Sequence, residues 1–266
     1  MSESVVYEVQ GRIAVITLNR PVALNALNRE MIENLRATII RFDEDDRAWV
    51  AIITGAGRAF CAGRDLKERA ADTLSGRQAT AEETMYGYGL SMWPTPVKPM
   101  IAAVNGYALA GGFAIAQACD IRIASELAML GITEARVGLM APFAIHLNKI
   151  ISETAVMELV LSAEPIPAQR VLEMGFLNKV VPPERLMDEA MEMAGKIIKN
   201  SPRSLRTFKE LVEKGRGFSE REAASITARA YNELLQSHDA EEVPKAFTEK
   251  REPIWEEELE QKDSLE

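Results

Sequence analysis

Cysteine and histidine are scarce in this sequence, whose 266 residues include only two of each. Cys61 and Cys119 are too few to build a disulfide framework, and the chain contains neither a C-x-x-C pair nor an H-x-x-x-H pair. We therefore expect no metal site.

Long apolar runs and an excess of positive charge are also missing. No apolar stretch approaches the roughly 18 residues that a membrane-spanning helix needs, and the N-terminal residues alternate like a strand instead of forming a basic flank and an apolar core. The 31 basic residues are outnumbered by 40 acidic ones, which gives a net charge of −9. Since nucleic-acid backbones require clustered Lys and Arg, we expect no nucleic-acid binding. Because both the apolar run and the leader pattern are missing, we expect a cytoplasmic protein that does not bind membrane. Any anionic ligand must be held by local features.

Apolar residues, in contrast, make up 47% of the chain, which is ample for a buried core. The most informative stretch is Val104–Asp120, VNGYALAGGFAIAQACD. An apolar run ends there at Asn105-Gly106, and Gly111-Gly112 opens a second apolar segment with helical spacing. The pattern predicts a strand, a tight turn and a buried helix. The first N–H groups of such a helix are unpaired at the positive end of its dipole, where they can bind an anion or stabilise one formed during a reaction.

The remaining patterns predict an α/β protein. An alternating hairpin at 5–18, an amphipathic helix at 28–42 capped by Asn28, and a buried strand at 49–54 begin the chain. The order strand, strand, helix then recurs, which favours stacked ββα units over a doubly wound sheet. Further segments are predicted as strands at 100–104, 121–124, 128–132 and 180–181, as helices at 152–161, 167–174, 185–199, 202–214 and 219–235, and as a polar loop or loosely held helix at 73–88. We divide the chain into a mixed region, 1–200, and a helical region, 201–266.

A second glycine-containing turn, AFCAGRD at 59–65, follows another buried strand. If the two turns meet, their backbone N–H groups form a two-donor pocket for an oxyanion, which requires glycine for close backbone approach rather than particular side chains. Either motif alone is more typical of an ordinary turn at a strand end.

Four linked motifs give a more specific signal, in this order and spacing: NRPVALNALNREM from Asn19, GAGRAFCAGRDLKE from Gly55, NGYALAGGFAIAQACDIRIAS from Asn105 and AQRVLEMGFLNKVVP from Ala168. Over almost its whole length the chain resembles the crotonase (enoyl-CoA hydratase/isomerase) family, which acts on coenzyme A thioesters. The resemblance implies a crotonase-like spiral of ββα repeats with a C-terminal helical trimerisation region, and a homotrimer or hexamer. It implies no separate cofactor, because coenzyme A enters as part of the acyl-CoA substrate.

The resemblance also assigns site residues by position. It places two oxyanion donors on the backbone N–H groups of Arg64 and Gly111, and an acid/base on Glu134. In the first motif, Ala23-Leu24 stands where relatives often carry a basic residue for the nucleotide, so Arg20 is a candidate substitute, as are backbone contacts. The implied coenzyme A contacts are Ala62, Asp65, Leu66 and Lys67 beside the first turn, and Phe247 and Lys250 near the C-terminus, where the family reaches the coenzyme A of a neighbouring subunit.

One departure from the family leaves the reaction open. Family hydratases use two glutamates, and the first of these positions is Ala114 here, which can do no proton chemistry. Glu134 as the single carboxylate fits isomerisation, in which one base moves a proton from C2 to C4, at least as well as hydration. The leading hypothesis is therefore an enoyl-CoA hydratase/isomerase that stabilises a thioester enolate.

Two alternatives remain. The run 140–146, MAPFAIH, replaces a glycine-rich family segment, and from Ile145-His146 through AEPIPAQR the sequence is somewhat similar to methylmalonyl-CoA decarboxylase relatives. This favours a decarboxylase or another C–C lyase acting on a branched or cyclic acyl-CoA, in which His146 either contacts substrate or packs in a helix. The alternative from another class is a non-catalytic acyl-CoA-binding or scaffold protein with the same fold.

Overall fold

The structure, a computed structural model, describes residues 3–77, 93–215 and 217–263. Its backbone contacts define two compact units. One contains 1–96 and 100–194, and the other contains 97–99 and 195–266. In the described ranges, no helix combines the length and the apolar content needed to cross a membrane.

The strands of the first unit form two sheets. The larger sheet has the order β1-β2-β3-β5-β7-β10 and the smaller one the order β4-β6-β8-β9. The strand bounds are β1 Val5–Gln10, β2 Ile13–Leu18, β3 Val50–Gly55, β4 Ala59–Cys61, β5 Met100–Val104, β6 Tyr107–Leu109, β7 Ile121–Ser125, β8 Met129–Gly131, β9 Ile166–Pro167 and β10 Lys179–Val181.

Helices follow the strand pairs and dominate the C-terminal part. The α-helices are α1 Arg29–Glu44, α2 Leu66–Leu74, α3 Gly111–Ala118, α4 Glu153–Ser162, α5 Ala168–Glu173, α6 Leu186–Ile197, α7 Pro202–Gly215, α8 Glu220–Leu235, α9 His238–Glu249 and α10 Glu256–Asp263. Short 3-10 helices cover Pro21–Ala23, Glu134–Val137, Pro142–Lys149 and Pro183–Arg185.

The predicted ββα order is confirmed. The hairpin β1-β2 is antiparallel, whereas β3, β5 and β7 run parallel to one another in the larger sheet. The second strand of each pair crosses to the smaller sheet, where β4, β6 and β8 are again parallel neighbours. The carboxyl ends of these three short strands therefore meet at one sheet edge, and the chain leaves that edge through the two glycine turns and the segment that contains Glu134.

Buried side chains explain why these segments fold as they do. Every residue of β5 is buried, as expected for a strand covered on both faces, and α3 is buried from Gly111 to Ala116. The ring of Phe113 on α3 stacks on Phe176 with centroids 4.4 Å apart. At the start of α1 the Asn28 side chain accepts a hydrogen bond of 3.0 Å from the Met31 N–H, as predicted for its N-cap.

Three predicted details were wrong. The predicted helix does begin at Gly111, but a single tight turn does not precede it, because Asn105-Gly106 joins β5 to β6 and a second turn follows β6. The segment at 59–61 is itself a strand. The helix predicted at 167–174 starts one residue later, since Pro167 of β9 pairs with Met129 of β8.

Of the segment 73–88, Thr73 and Leu74 end α2, and 78–88 lies outside the described residues.

Candidate active site

The turn after β4 is fixed by a short parallel bridge to Leu27. The Leu27 N–H donates to the Gly63 carbonyl at 2.8 Å, and the Asp65 N–H donates to the Leu27 carbonyl at 3.0 Å. In this pairing the neighbours of Arg64 make both bonds, so the Arg64 N–H points away from Leu27. Gly63 has φ +88°, and a Cβ atom there would lie 2.9 Å from the Leu109 carbonyl oxygen. Only glycine fits this turn without strain.

The turn after β6 is held just as closely. Ala110 adopts φ +51° and its N–H donates to the Gly131 carbonyl at 2.9 Å. At Gly112 a Cβ atom would lie 2.1 Å from the Cys61 carbonyl oxygen, so α3 can pack against β4 only with glycine at this position. A side chain at position 112 would push the start of α3 away from β4.

The two turns touch each other. A Cβ atom at Gly63 would lie 3.6 Å from the Gly111 nitrogen. Within the described ranges, neither the Arg64 N–H nor the Gly111 N–H has a protein acceptor, and no side chain caps the start of α3. Two free backbone donors therefore lie side by side at the positive end of a helix, as an oxyanion-binding pair requires.

Glu134 follows β8, the third strand at this edge, and starts the 3-10 helix Glu134–Val137. Its Oε2 atom is buried and lacks a hydrogen-bond partner in the described structure. Burial raises the pKa of the Glu134 carboxyl above its ordinary value, because the charged form is deprived of water. A buried carboxyl group with a raised pKa and one oxygen, Oε2, left without a partner is suited to exchange a proton with a ligand.

One cavity of about 570 Å³ connects these groups. Five of the predicted site residues line it together, namely Ala62, Arg64, Leu66, Gly111 and Glu134. The other lining residues in the described ranges come from α1 and the residues just before it, from α2 and the residues just after it, from the turn before α3 and from 133–143: Leu27, Ile32, Arg69, Asp72, Thr73, Arg77, Ala110, Thr133, Val137, Leu139, Met140, Pro142 and Phe143.

Four other predicted residues do not line this cavity. Asp65 uses its carboxylate to cap α2, accepting from the Lys67 and Glu68 N–H groups at 3.1 and 3.4 Å. Lys67 is exposed. Phe247 and Lys250 lie in the second unit, on α9 and at its C-cap, and the Phe247 side chain is 86% exposed.

Arg20 and His146, which the sequence suggested as possible substrate contacts, do not line this cavity either. Arg20 pairs with Asp65 at 3.1 Å and also donates to the Ala26 carbonyl, so its guanidinium ties the N-terminal loop to the first glycine turn. His146 is half-buried in the 3-10 helix Pro142–Lys149 and is not among the lining residues of the cavity.

The position of the absent glutamate is closed off. Ala114 is 1% exposed and belongs to the core, whereas Phe143, whose ring centroid lies 6.3 Å from that of Phe113, reaches the cavity wall. Besides Glu134, the described cavity wall includes one carboxylate, that of Asp72, which is paired with Arg29 and with Arg77 at 3.8 Å. Glu134 is thus the carboxylate of this wall that is free for proton transfer.

A family model described as enoyl-CoA hydratase/isomerase matches residues 8–258. The chain belongs to this family. The resemblance drawn from the four motifs is therefore confirmed, and so is the crotonase-type α/β fold.

Known members of the enoyl-CoA hydratase/isomerase family match almost the full chain. The short-chain-enoyl-CoA hydratase of Clostridium acetobutylicum is 35% identical over 93% of this chain and 95% of its own length. The carnitinyl-CoA dehydratase of Escherichia coli K12 is 35% identical over 96% of this chain and 99% of its own. A crystal structure of an enoyl-CoA hydratase from Mycobacterium tuberculosis H37Rv superposes with a TM-score of 0.84 at 35% identity, covering 96% and 99% of the two chains.

Sequence reasoning missed much of the cavity wall of this family member. The sequence alone does not identify Leu27 as a site residue, because its role depends on its pairing with the turn at Arg64. The wall supplied by α2 does have a signal, since Leu66, Arg69, Thr73 and Arg77 are spaced by three, four and four residues and so share one helical face. The polar composition of this stretch concealed that periodicity.

Proposed function

We propose that this chain is an acyl-CoA enzyme that stabilises a thioester enolate and has enoyl-CoA hydratase/isomerase activity. The observation that carries the proposal is the pair of free N–H groups at Arg64 and Gly111 in the same cavity as Glu134, whose buried Oε2 atom lacks a hydrogen-bond partner in the described structure. The thioester oxygen lies between the two donors and gains negative charge as the enolate forms. One donor of this kind contributes about 2.7–4 kcal/mol to transition-state stabilisation.

Glu134 supplies the proton transfers in this scheme. In isomerisation its carboxylate removes a C2 proton from a 3-enoyl thioester, and the resulting carboxylic acid returns the proton to C4 as the double bond moves to C2. In hydration it takes a proton from water, whose oxygen adds to C3 of a 2-enoyl thioester, and then delivers that proton to C2. Both routes pass through a thioester enolate, a dienolate in isomerisation and a 3-hydroxy enolate in hydration, and both leave Glu134 ionised at the end. Coenzyme A enters as part of the substrate, and Ala62 and Leu66 line its path beside the first donor.

A turnover screen tests this function. The enzyme is incubated separately with crotonyl-CoA, a 3-enoyl-CoA and methylmalonyl-CoA, and the products are followed by mass spectrometry and by the absorbance of the conjugated enoyl thioester. We expect either addition of one water to crotonyl-CoA or conversion of the 3-enoyl substrate without a change of mass. Loss of carbon dioxide alone would establish the lyase alternative, and acyl-CoA binding without any turnover would establish the scaffold alternative.

We further propose that the region 201–266 assembles the protein into a homotrimer or a hexamer in the cytoplasm. Helices of the second unit bear large apolar side chains that this chain alone leaves exposed: Phe208 and Val212 on α7, Tyr231 and Leu235 on α8, and Phe247 on α9. Apolar area of this kind marks a protein interface. Light scattering coupled to gel filtration should give a mass of three or six chains, and a monomeric mass at micromolar concentration would contradict the assembly.

A further inference from the structure

One wall of the cavity is charged. The cavity-facing stripe of α2 places Leu66, Arg69 and Thr73 one above another, and Arg77 follows just after the helix. Arg69 is half-buried in this wall, and its guanidinium has no ion-pair partner among the residues that the structure describes. The part of the lining formed by Leu139, Met140, Pro142 and Phe143 is apolar.

The neighbouring acidic groups are already shared among other arginines. Glu68 pairs with Arg64 and with Arg29, both at 3.7 Å. Asp72 pairs with Arg29 and, at 3.8 Å, with Arg77. Together with Arg69, these arginines bring four positive charges to the α2 wall, against two negative charges from Glu68 and Asp72. The net charge of the whole chain, in contrast, is −9. A half-buried guanidinium without a counter-ion keeps its N–H donors available to an anionic ligand, and its planar fork matches a carboxylate.

We propose that Arg69 binds a carboxylate borne by the acyl group, so that the preferred substrates are thioesters of unsaturated dicarboxylic acids. The proposal rests on the acyl-CoA function proposed above. Arg69 is three residues after Leu66, or about 4.5 Å along the helix axis at 1.5 Å per residue, and Leu66 follows the turn of the Arg64 donor. The wall that carries Arg69 therefore begins at the turn of the Arg64 donor and lines the same cavity as Gly111 and Glu134. The phosphates of coenzyme A are separated from the thioester by the whole pantetheine arm.

A matched pair of saturated thioesters tests the contact without requiring turnover. Butanoyl-CoA and 4-carboxybutanoyl-CoA differ by one terminal carboxylate, and their Kd values are measured by titration calorimetry. We expect the wild-type protein to bind the carboxylated thioester about tenfold more tightly, and Arg69→Met to bring the ratio of the two Kd values close to one. Arg69→Lys, which keeps the charge but loses the fork, should give an intermediate ratio. Arg185→Met, an equal charge change at an exposed position outside the cavity, should keep the wild-type ratio.

Two results would overturn the proposal. Equal Kd values for the two thioesters in the wild-type protein would show that the cavity does not recognise the carboxylate. A loss of affinity in Arg69→Met that is equal for both thioesters and for free coenzyme A would assign Arg69 to a phosphate. Turnover of but-2-enoyl-CoA and 4-carboxybut-2-enoyl-CoA is measured separately. Selective binding without turnover of either would contradict the proposed function and leave the carboxylate contact established.

Discussion

Replacing Glu134 by glutamine is expected to lower kcat/KM about 10²–10⁴-fold, the usual contribution of a general acid or base. The amide keeps the size and shape of the side chain, but it cannot accept a proton from C2 or from water. The Arg64 and Gly111 N–H groups remain in place, so the Kd for a saturated acyl-CoA should change little. Steady-state kinetics on the substrate identified by the turnover screen, together with calorimetric Kd values, check both halves of this expectation.

The matched control for this substitution is Glu126→Gln. Glu126 is exposed and does not line the cavity, and the change in charge is the same. Its kcat/KM should remain within about twofold of the wild-type value, as is usual for surface substitutions. Wild-type turnover in Glu134→Gln would exclude Glu134 as the base and move the search to Thr133 and to water held in the cavity.

Stability should respond to the same substitution in a pH-dependent way. Since burial raises the pKa of Glu134 in the folded protein, the folded state holds this proton more tightly than the unfolded state. The resulting stabilisation is fully present below the unfolded pKa and is lost as the pH rises through the folded pKa. Glu134→Gln escapes that loss, so it should unfold at a higher temperature than the wild type near pH 8, with the difference shrinking toward about pH 4. A glutamate held by internal partners would give the opposite result at pH 8.

The fold could be predicted largely because most elements of its repeating unit have a recognisable local sequence pattern. The alternation at 5–18, the buried run at 49–54 and the capped helix after Asn28 each have a period that matches one element. The three-residue strands β4 and β6 were missed for a physical reason. Such short strands have no measurable period, and they are specified by close backbone approach, as at Gly112 against Cys61, rather than by a side-chain pattern.

The candidate site was predictable where the chemistry depends on backbone geometry and not where it depends on packing. Two glycine turns after buried strands suggested a donor pair, and the structure brings both turns into contact. The family pattern pointed to Ala114 as the missing acid, but only the packing shows that this position is closed within the core. Arg69 and Arg77 were not predicted as lining residues, because a sequence does not reveal which face of a polar helix borders a cavity.

Removing the backbone donor at position 64 should be nearly as damaging as removing the base. Arg64→Pro deletes the N–H group, since proline has none, and should lower kcat/KM about 10²–10³-fold. The bridge to Leu27 uses the Gly63 carbonyl and the Asp65 N–H, so the substitution removes no backbone hydrogen bond among the residues that the structure describes. The residue before proline is restricted in conformation, and here that residue is glycine, the most permissive choice.

Arg64→Ala is the matched control, because it removes the same side chain and its ion pair with Glu68 but keeps the N–H group. Its kcat/KM should fall far less than that of Arg64→Pro, and the thermal midpoints of the two variants establish whether both remain folded. If Arg64→Ala loses as much activity as Arg64→Pro, the guanidinium and not the backbone would be the active group at this position. A large difference between two equally folded variants would assign the stabilisation of the enolate to one N–H bond, whatever side chain the sequence places beside it.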